Sequence, residues 1–91
     1  MVHFEWDREK AQANARKHGV TFEEAATVFG DALAKIFDDD AYSVLESREI
    51  IVGYATNQRI LLVSFVIRKE NVRIISARQA TRKEQQRHEK R

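Results

Sequence analysis

The sequence predicts an α+β fold with a short N-terminal strand, two helices, a four-stranded antiparallel meander and a C-terminal helix. Capping residues bracket two helices between residues 7 and 30, and the apolar period then changes from helical to two. Short polar turns separate the β-prone runs that follow, as in consecutive hairpins. At 91 residues, without repeats or long linkers, the chain is expected to form a single domain over 1–91.

Helix caps and strand periodicity place the individual elements. Asp7 is a suitable N-cap and Gly19 a suitable left-handed terminus for the first helix. Thr21 opens the second helix with capping-box spacing to Glu24. The predicted elements are a strand at 3–6, helices at 8–18 and 22–29, strands at 33–37, 48–56, 60–68 and 72–78, and a helix from Thr81 to about Lys90.

Three of these elements carry a further expectation. The 60–68 strand is apolar on both faces, so it should lie at the centre of the sheet. Asp38, Asp39 and Asp40 predict a solvated charged bend after the 33–37 strand. The last helix is polar on nearly every side, so it should gain little by packing on its own core and is expected to be solvated, mobile or bound by a partner.

Composition excludes several classes of protein. The chain has no Cys, which removes disulfides, thiolate metal sites and a cysteine nucleophile. The longest apolar run, 60–67, is too short to cross a membrane, and acidic residues stand where a signal peptide would be apolar. These features predict a cytoplasmic protein with no membrane partner.

Charge is divided unevenly along the chain. Residues 1–46 contain five Lys/Arg and ten Asp/Glu, whereas residues 47–91 contain eleven Lys/Arg and four Asp/Glu. The C-terminal half is therefore a candidate surface for a polyanion. The alternative is that these cations only keep a sheet and a terminal helix soluble.

Four polar residues group on the first helix. Lys10, Asn14 and His18 follow one another at intervals of four residues, and Lys17 lies beside them. Cationic groups and an imidazole arranged in this way suit contact with a phosphodiester. In the alternative interpretation, His18 only interacts with the free carbonyl groups at the helix end.

The chain resembles the BrnT family in several ordered motifs. The run FEWDREKAQANARKHGVTFEEAATVF, a short acidic stretch and RIISARQATRKE together cover nearly its whole length. The resemblance implies a RelE-like fold and the toxin of a bacterial type II toxin–antitoxin pair, an endoribonuclease that blocks translation. It also implies a tight complex with a small antitoxin that carries a ribbon-helix-helix-type DNA-binding part. Promoter DNA would be bound only through that complex.

Metal-independent RNA cleavage needs a group that accepts the 2′-hydroxyl proton, a group that protonates the leaving oxygen, and cations around the phosphate. His18 and Lys17 are the candidate proton-transfer groups, because an imidazole titrates near pH ~6.5 and adjacent lysines favour its neutral form. Arg78 and Arg82 are the candidate catalytic phosphate-binding groups, since a guanidinium can hold two phosphate oxygens. Lys10, Asn14 and Arg48 would contact RNA around them. These residues are expected to share one anion-binding hollow.

Alternatives remain for several of these residues. Arg78 can instead pair with Glu84, and Arg48 with Glu46. Trp6 and Tyr54 can stack on a base, although Trp6 fits better in the core.

Other chemistries find little support in the sequence. The three separated His residues have no zinc-binding spacing, and no metal or other cofactor is expected. Ser64 and Ser76 lie inside strands without the glycine pattern of a nucleophile elbow.

Two functional hypotheses therefore remain, a ribonuclease and a non-catalytic module that binds nucleic acid or a partner within a repressor complex. An enzyme that cuts only ribosome-bound message is a third. The antitoxin is expected to cover the positive sheet and to displace or clamp the last helix. An antiparallel edge in so small a domain would also let two copies pair, so the sequence leaves both a monomer and a homodimer open.

Overall fold

The computed structural model describes residues 2–39 and 47–89, which form a five-stranded sheet and three α-helices. A single 3₁₀ turn, Val28–Gly30, follows the second helix. Asp40, Glu46 and Lys90, which entered the sequence-based predictions, lie outside the described residues. In chain order the elements are β1 (His3–Glu5), α1 (Arg8–His18), α2 (Phe22–Thr27), β2 (Lys35–Asp38), β3 (Arg48–Tyr54), β4 (Ile60–Arg68), β5 (Asn71–Gln79) and α3 (Arg82–Glu89).

The sheet confirms the predicted meander and extends it by one strand. Strands β2 to β5 pair consecutively and antiparallel, and β1 adds to β5 in parallel, giving the order β1-β5-β4-β3-β2. The apolar strand β4 lies in the middle, as its two apolar faces predict. The architecture is therefore α+β, as the sequence predicts.

The caps of the first two helices are those predicted. The Asp7 carboxylate accepts a hydrogen bond from the backbone N–H of Lys10 (2.9 Å), and Gly19 ends α1 with φ of 68°. The Thr21 hydroxyl accepts from the Glu24 N–H (3.0 Å) at the start of α2. The predicted second helix is too long, because α2 ends at Thr27 and the chain tightens into the 3₁₀ turn.

Strand β2 begins later than predicted because Asp31 folds the preceding residues into a turn. The Asp31 carboxylate accepts from the Leu33 N–H (2.9 Å), and its backbone carbonyl accepts from the Ala34 N–H (3.1 Å). Leu33 and Ala34 are thereby removed from the strand. Asp38, predicted in the charged bend, is the last residue of β2.

One face of the sheet carries α1, α2 and the main core. Phe22, Val20 and Val28 are fully buried against this face. Trp6 packs on the same core with its ring edge-on to Phe22 at a centroid distance of 5.9 Å. The prediction that Trp6 belongs to the core is therefore confirmed.

The opposite face carries α3 over a smaller apolar cluster. Val52, Ile60 and Ala80 are buried there, and Ile50, Tyr54 and Leu62 pack around them. The expectation that α3 gains little by packing on its own core is wrong, because the His88 side chain is 2% exposed and its ring lies 5.4 Å from that of Tyr54. Among the described residues, no helix is long and apolar enough to cross a membrane.

Candidate functional site

Asn14 lies at the outer edge of β5, beyond the three residues that β1 covers. Its amide nitrogen donates to the carbonyl oxygens of Ala77 (2.8 Å) and Val20 (3.0 Å), and its amide oxygen accepts from the Ala77 N–H (3.1 Å). The side chain therefore replaces a neighbouring strand, and it is only 7% exposed. This corrects the predicted grouping, since Asn14 points into the fold and not toward the surface formed by Lys10 and His18.

The other three predicted residues of α1 are exposed. On a helical wheel Lys10 and Lys17 flank Asn14 on one side, whereas Ala11 flanks it on the other and packs against the core. The two lysines therefore project from the rim of the sheet, on the side away from the main core. His18 lies in the last turn of α1.

The end of α1 and the start of α3 lie at the same end of the sheet. Arg59, in the turn between β3 and β4, donates to the carbonyl oxygen of Gly19 (2.9 Å) just after α1. The neighbouring Ile60 carbonyl accepts from the Ala80 N–H (2.9 Å), and α3 begins two residues later at Arg82. The last turn of α1, which carries Lys17 and His18, and the start of α3 therefore both lie near the β3–β4 turn, although the two helices pack on opposite faces of the sheet.

Arg78 points to the face that carries α3, because it follows Ala77, which belongs to the main core. Its guanidinium binds both carboxylate oxygens of Glu84, with N–O distances of 2.9 and 3.0 Å. The hydrogen bonds from Arg78 outweigh burial and lower the pKa of Glu84 to about 2, and the same pair raises the pKa of Arg78. The alternative that pairs Arg78 with Glu84 is therefore realised, whereas Arg82 is exposed in the first turn of α3.

Arg48 is separated from this region. It pairs across the sheet with Val66, whereas Arg78 pairs with Leu62, which in turn pairs with Val52. Arg48 and Val52 are four residues apart on β3, about 13 Å along the strand, and β3 and β5 are two strand spacings apart. The expectation that Arg48 joins Arg78 in one hollow is wrong.

A partly buried ion pair between Arg59 and Glu24 joins α1, α2 and the β3–β4 turn. Arg59 donates through Nε and Nη2 to the two carboxylate oxygens of Glu24 at 2.8 and 2.6 Å. These hydrogen bonds outweigh burial and lower the pKa of Glu24. Capping-box spacing gave no indication that the Glu24 side chain also reaches Arg59 and Asn57.

A groove of about 630 Å³ lies between α3 and the sheet. Its floor is apolar and its rim is cationic, and none of the predicted site residues lines it. The described residues that line it are Lys35, Phe37, Ile50, Val52, Leu62, Glu84, Arg87 and His88.

His88 and Asp31 close one end of this groove. The His88 Nε2 atom lies 3.5 Å from Asp31 Oδ2, and the same oxygen accepts from the Tyr54 N–H at 2.8 Å. Burial opposes ionisation of Asp31, but the N–H groups of Tyr54 and Leu33 together with His88 outweigh it and lower the pKa of Asp31. The Tyr54 ring contacts His88, so one flank of the predicted base-stacking ring is occupied. Sequence reasoning missed the role of His88, because one buried residue in a polar helix produces no periodic signal.

The described residues contain no group of three or more His, Asp or Glu side chains placed to hold a metal ion. The family model for the ribonuclease toxin BrnT of type II toxin–antitoxin systems matches residues 6–84. The chain belongs to the BrnT family. This confirms the resemblance seen in the EWD and NARKHGV motifs.

A solved structure agrees with this assignment. The crystal structure of the Brucella abortus ribonuclease toxin BrnT superposes with a TM-score of 0.66 at 27% identity, and the match covers 90% of this chain and 99% of that one. No curated protein sequence matches the chain. The BrnT family is one of ribonuclease toxins, so the comparison favours an enzyme over a non-catalytic module.

Proposed function

We propose that this chain is the toxin of a type II pair and that it inhibits translation by cutting RNA in the cytoplasm without a metal ion. The observation that carries the proposal is the match of the BrnT ribonuclease-toxin model to residues 6–84. The shared fold with the Brucella abortus toxin supports it. A cognate antitoxin follows from membership of a type II system.

The end of the sheet where α1 stops and α3 starts is the proposed catalytic region. His18 and Lys17 would transfer protons between the ribose 2′-hydroxyl and the leaving 5′-oxygen. Arg82 would bind the phosphate, with the positive end of the α3 helix dipole beside it. Lys10 would contact the RNA backbone farther along the rim.

Arg78 and Arg48 have more limited roles in this proposal. Arg78 is held by Glu84, so it can bind a phosphate only when that phosphate replaces the carboxylate. Arg48 lies too far away to contact the same phosphate and would bind a more distant part of the RNA strand. Asn14 would act as a positioning residue, because it fixes α1 against Ala77.

The proposed partners of the toxin follow from its assignment to a type II toxin–antitoxin system. The antitoxin would carry a ribbon-helix-helix-type DNA-binding part, and promoter DNA would be bound only through the complex of the two proteins. The free toxin can be a monomer or a homodimer, which size-exclusion chromatography with light scattering distinguishes.

Cleavage of a labelled RNA by purified protein in EDTA tests the proposal. We expect cleavage by the wild type, and losses of about 10²- to 10⁴-fold in the His18→Ala variant if His18 transfers a proton. Arg82→Ala should lose activity with an unchanged melting temperature, and Lys69→Ala, in the distant β4–β5 turn, is the matched control. Arg78→Ala needs its melting temperature measured in parallel, because it also removes the ion pair with Glu84.

Two results would contradict parts of this proposal. Salt-sensitive RNA binding without cleavage, on free RNA and in a translation assay, would exclude the enzyme and support a binding module. Full activity of His18→Ala would reject the proton-transfer role of that residue.

A further inference from the structure

Strand β2 exposes apolar side chains on both of its faces. Ile36 is 55% and Phe37 is 52% exposed, and Leu33, just before the strand, is 62% exposed. Phe37 pairs with Ile50 on the face that carries α3, whereas Ile36 pairs with Ile51, which belongs to the main core on the other face. The exposed apolar surface therefore covers both faces of the sheet at the edge formed by β2.

Within residues 2–39 and 47–89, no strand pairs with the outer backbone edge of β2. β2 is an end strand of the sheet. The Asp39 N–H donates to the Arg48 carbonyl (2.8 Å), and in an antiparallel ladder this places the N–H and C=O groups of Phe37 and Lys35 toward β3. The N–H and C=O groups of Ile36 consequently point outward, where another strand could pair with them.

The groove beside β2 has a cationic rim. The cations Lys35 and Arg87 line it, and its one described acidic residue, Glu84, is neutralised by Arg78. A partner segment with acidic side chains therefore complements this side. If a second copy of the chain paired with β2 and kept its α3 face on the same side of the joint sheet, the cations of the two grooves would approach each other and repel.

We infer that a segment of the cognate antitoxin binds β2 as a sixth strand, with apolar and acidic side chains entering the groove beneath α3. A strand added at an edge sends alternate side chains to the two faces, so it can cover Phe37 and Ile36 together. A helix confined to the groove would leave Ile36 and Leu33 in water. The inference rests on the proposed function, because it takes the partner from the type II system.

Binding of purified antitoxin to full-length toxin variants tests the inference by titration calorimetry. Phe37→Ser and Lys35→Glu should each weaken binding at least about tenfold, as expected for residues at the centre of an interface. The matched controls are Ile67→Ser, whose side chain is 53% exposed on β4, and Lys69→Glu in the β4–β5 turn. Both controls should bind within about threefold of the wild type.

Hydrogen exchange measured by NMR tests the strand addition itself. The Ile36 amide should exchange quickly in the free toxin and slowly in the complex. Equal affinity of the Phe37→Ser and Ile67→Ser variants would overturn the inference, and so would an unprotected Ile36 amide. A dimeric free toxin that Phe37→Ser converts to monomers would assign the surface to a second copy and would also overturn it.

RNA cleavage by the same variants separates this inference from the proposed function. Phe37→Ser should cut RNA as the wild type does, because Phe37 lies on a different edge of the sheet from His18. Intact cleavage with unaffected antitoxin binding in all variants rejects the inference alone. Loss of affinity in a protein that never cuts RNA rejects the proposed enzyme and retains the docking surface.

Discussion

Replacement of Asn14 by Ala should destabilise the protein substantially, although Asn14 lies on a helix otherwise rich in exposed polar residues. The change removes three buried hydrogen bonds and leaves the Ala77 N–H and the Ala77 and Val20 carbonyl groups without their partner. A buried polar group left unsatisfied costs about 1–3 kcal/mol. Because water can enter the space left by a truncated side chain, we use the lower value for each group and expect about 3 kcal/mol.

This loss is large for a domain of this size. Globular domains are stable by about 5–15 kcal/mol, and 1 kcal/mol corresponds to about 4–8 °C in the melting temperature of a domain of 60–100 residues. The Asn14→Ala variant should therefore melt about 12–24 °C below the wild type. Urea denaturation followed by the fluorescence of Trp6, the one tryptophan of the chain, measures the same difference in free energy.

Lys10→Ala provides the matched control, since Lys10 lies one helical turn earlier and is exposed. It should change stability by less than about 0.5 kcal/mol. The reasoning would be refuted if Asn14→Ala unfolded at the same urea concentration as Lys10→Ala. Such a result, together with lost RNA cleavage, would return Asn14 to the surface role that the sequence first suggested.

Two further predictions concern the main core beside the Asp31 turn and the ion pair at the start of α3. Gly53→Ala should destabilise the protein by about 1–3 kcal/mol in urea denaturation, because the added Cβ would lie 2.8 Å from the Ala34 Cβ and 2.9 Å from Asp31 Oδ2. Gly30→Ala is the control, because a Cβ added there meets nothing within 4 Å. Equal midpoints for the two variants would contradict this. Since the folded-state pKa of Glu84 is lowered from 4.5 to about 2, its contribution is complete above the unfolded value and is lost as the pH falls toward 2. The wild type should therefore be more stable than Glu84→Gln at neutral pH and converge with it in acid, whereas a constant difference would show that the carboxylate does not act through its charge.

Local signals were sufficient to predict the elements that are bounded by caps and turns. Asp7 and Gly19 fix the ends of α1 because each satisfies backbone groups within one turn of its own position. The meander follows because its turns join strands that are adjacent in sequence. The parallel pairing of β1 with β5 carries no such signal, since His3 and Asn71 are far apart in the chain.

The site was predicted less well because a helical wheel does not show what packs against each side. The wheel places Asn14 between Lys10 and His18, but it also places Asn14 next to Ala11 and Ala15. Those alanines mark the side that approaches the sheet, and they were the available signal that Asn14 is buried. Side-chain pairs such as Arg59 with Glu24 join residues 35 positions apart and could not be read from spacing.

The edges of the sheet explain why the proposed RNA and antitoxin surfaces are separate. At each edge of the sheet the end strand is shorter than its neighbour, and a polar side chain accepts a hydrogen bond from a backbone N–H that the end strand does not cover. Asn14 accepts from Ala77 on β5, and Asp31 accepts from Tyr54 on β3. The proposed RNA surface lies beside the first, whereas the proposed antitoxin surface lies beside the second, three strand spacings or about 14 Å away.

Helix α3 is placed to connect these two surfaces. Glu84, in its first turn, binds Arg78 on β5, and His88, in its last turn, contacts Asp31 and lines the groove beside β2. A strand bound at β2 would therefore contact the same helix that carries Glu84, the partner of Arg78. An antitoxin that fixes α3 against the sheet could reduce RNA binding at the far edge without covering it, because the Arg78 guanidinium would stay paired with Glu84.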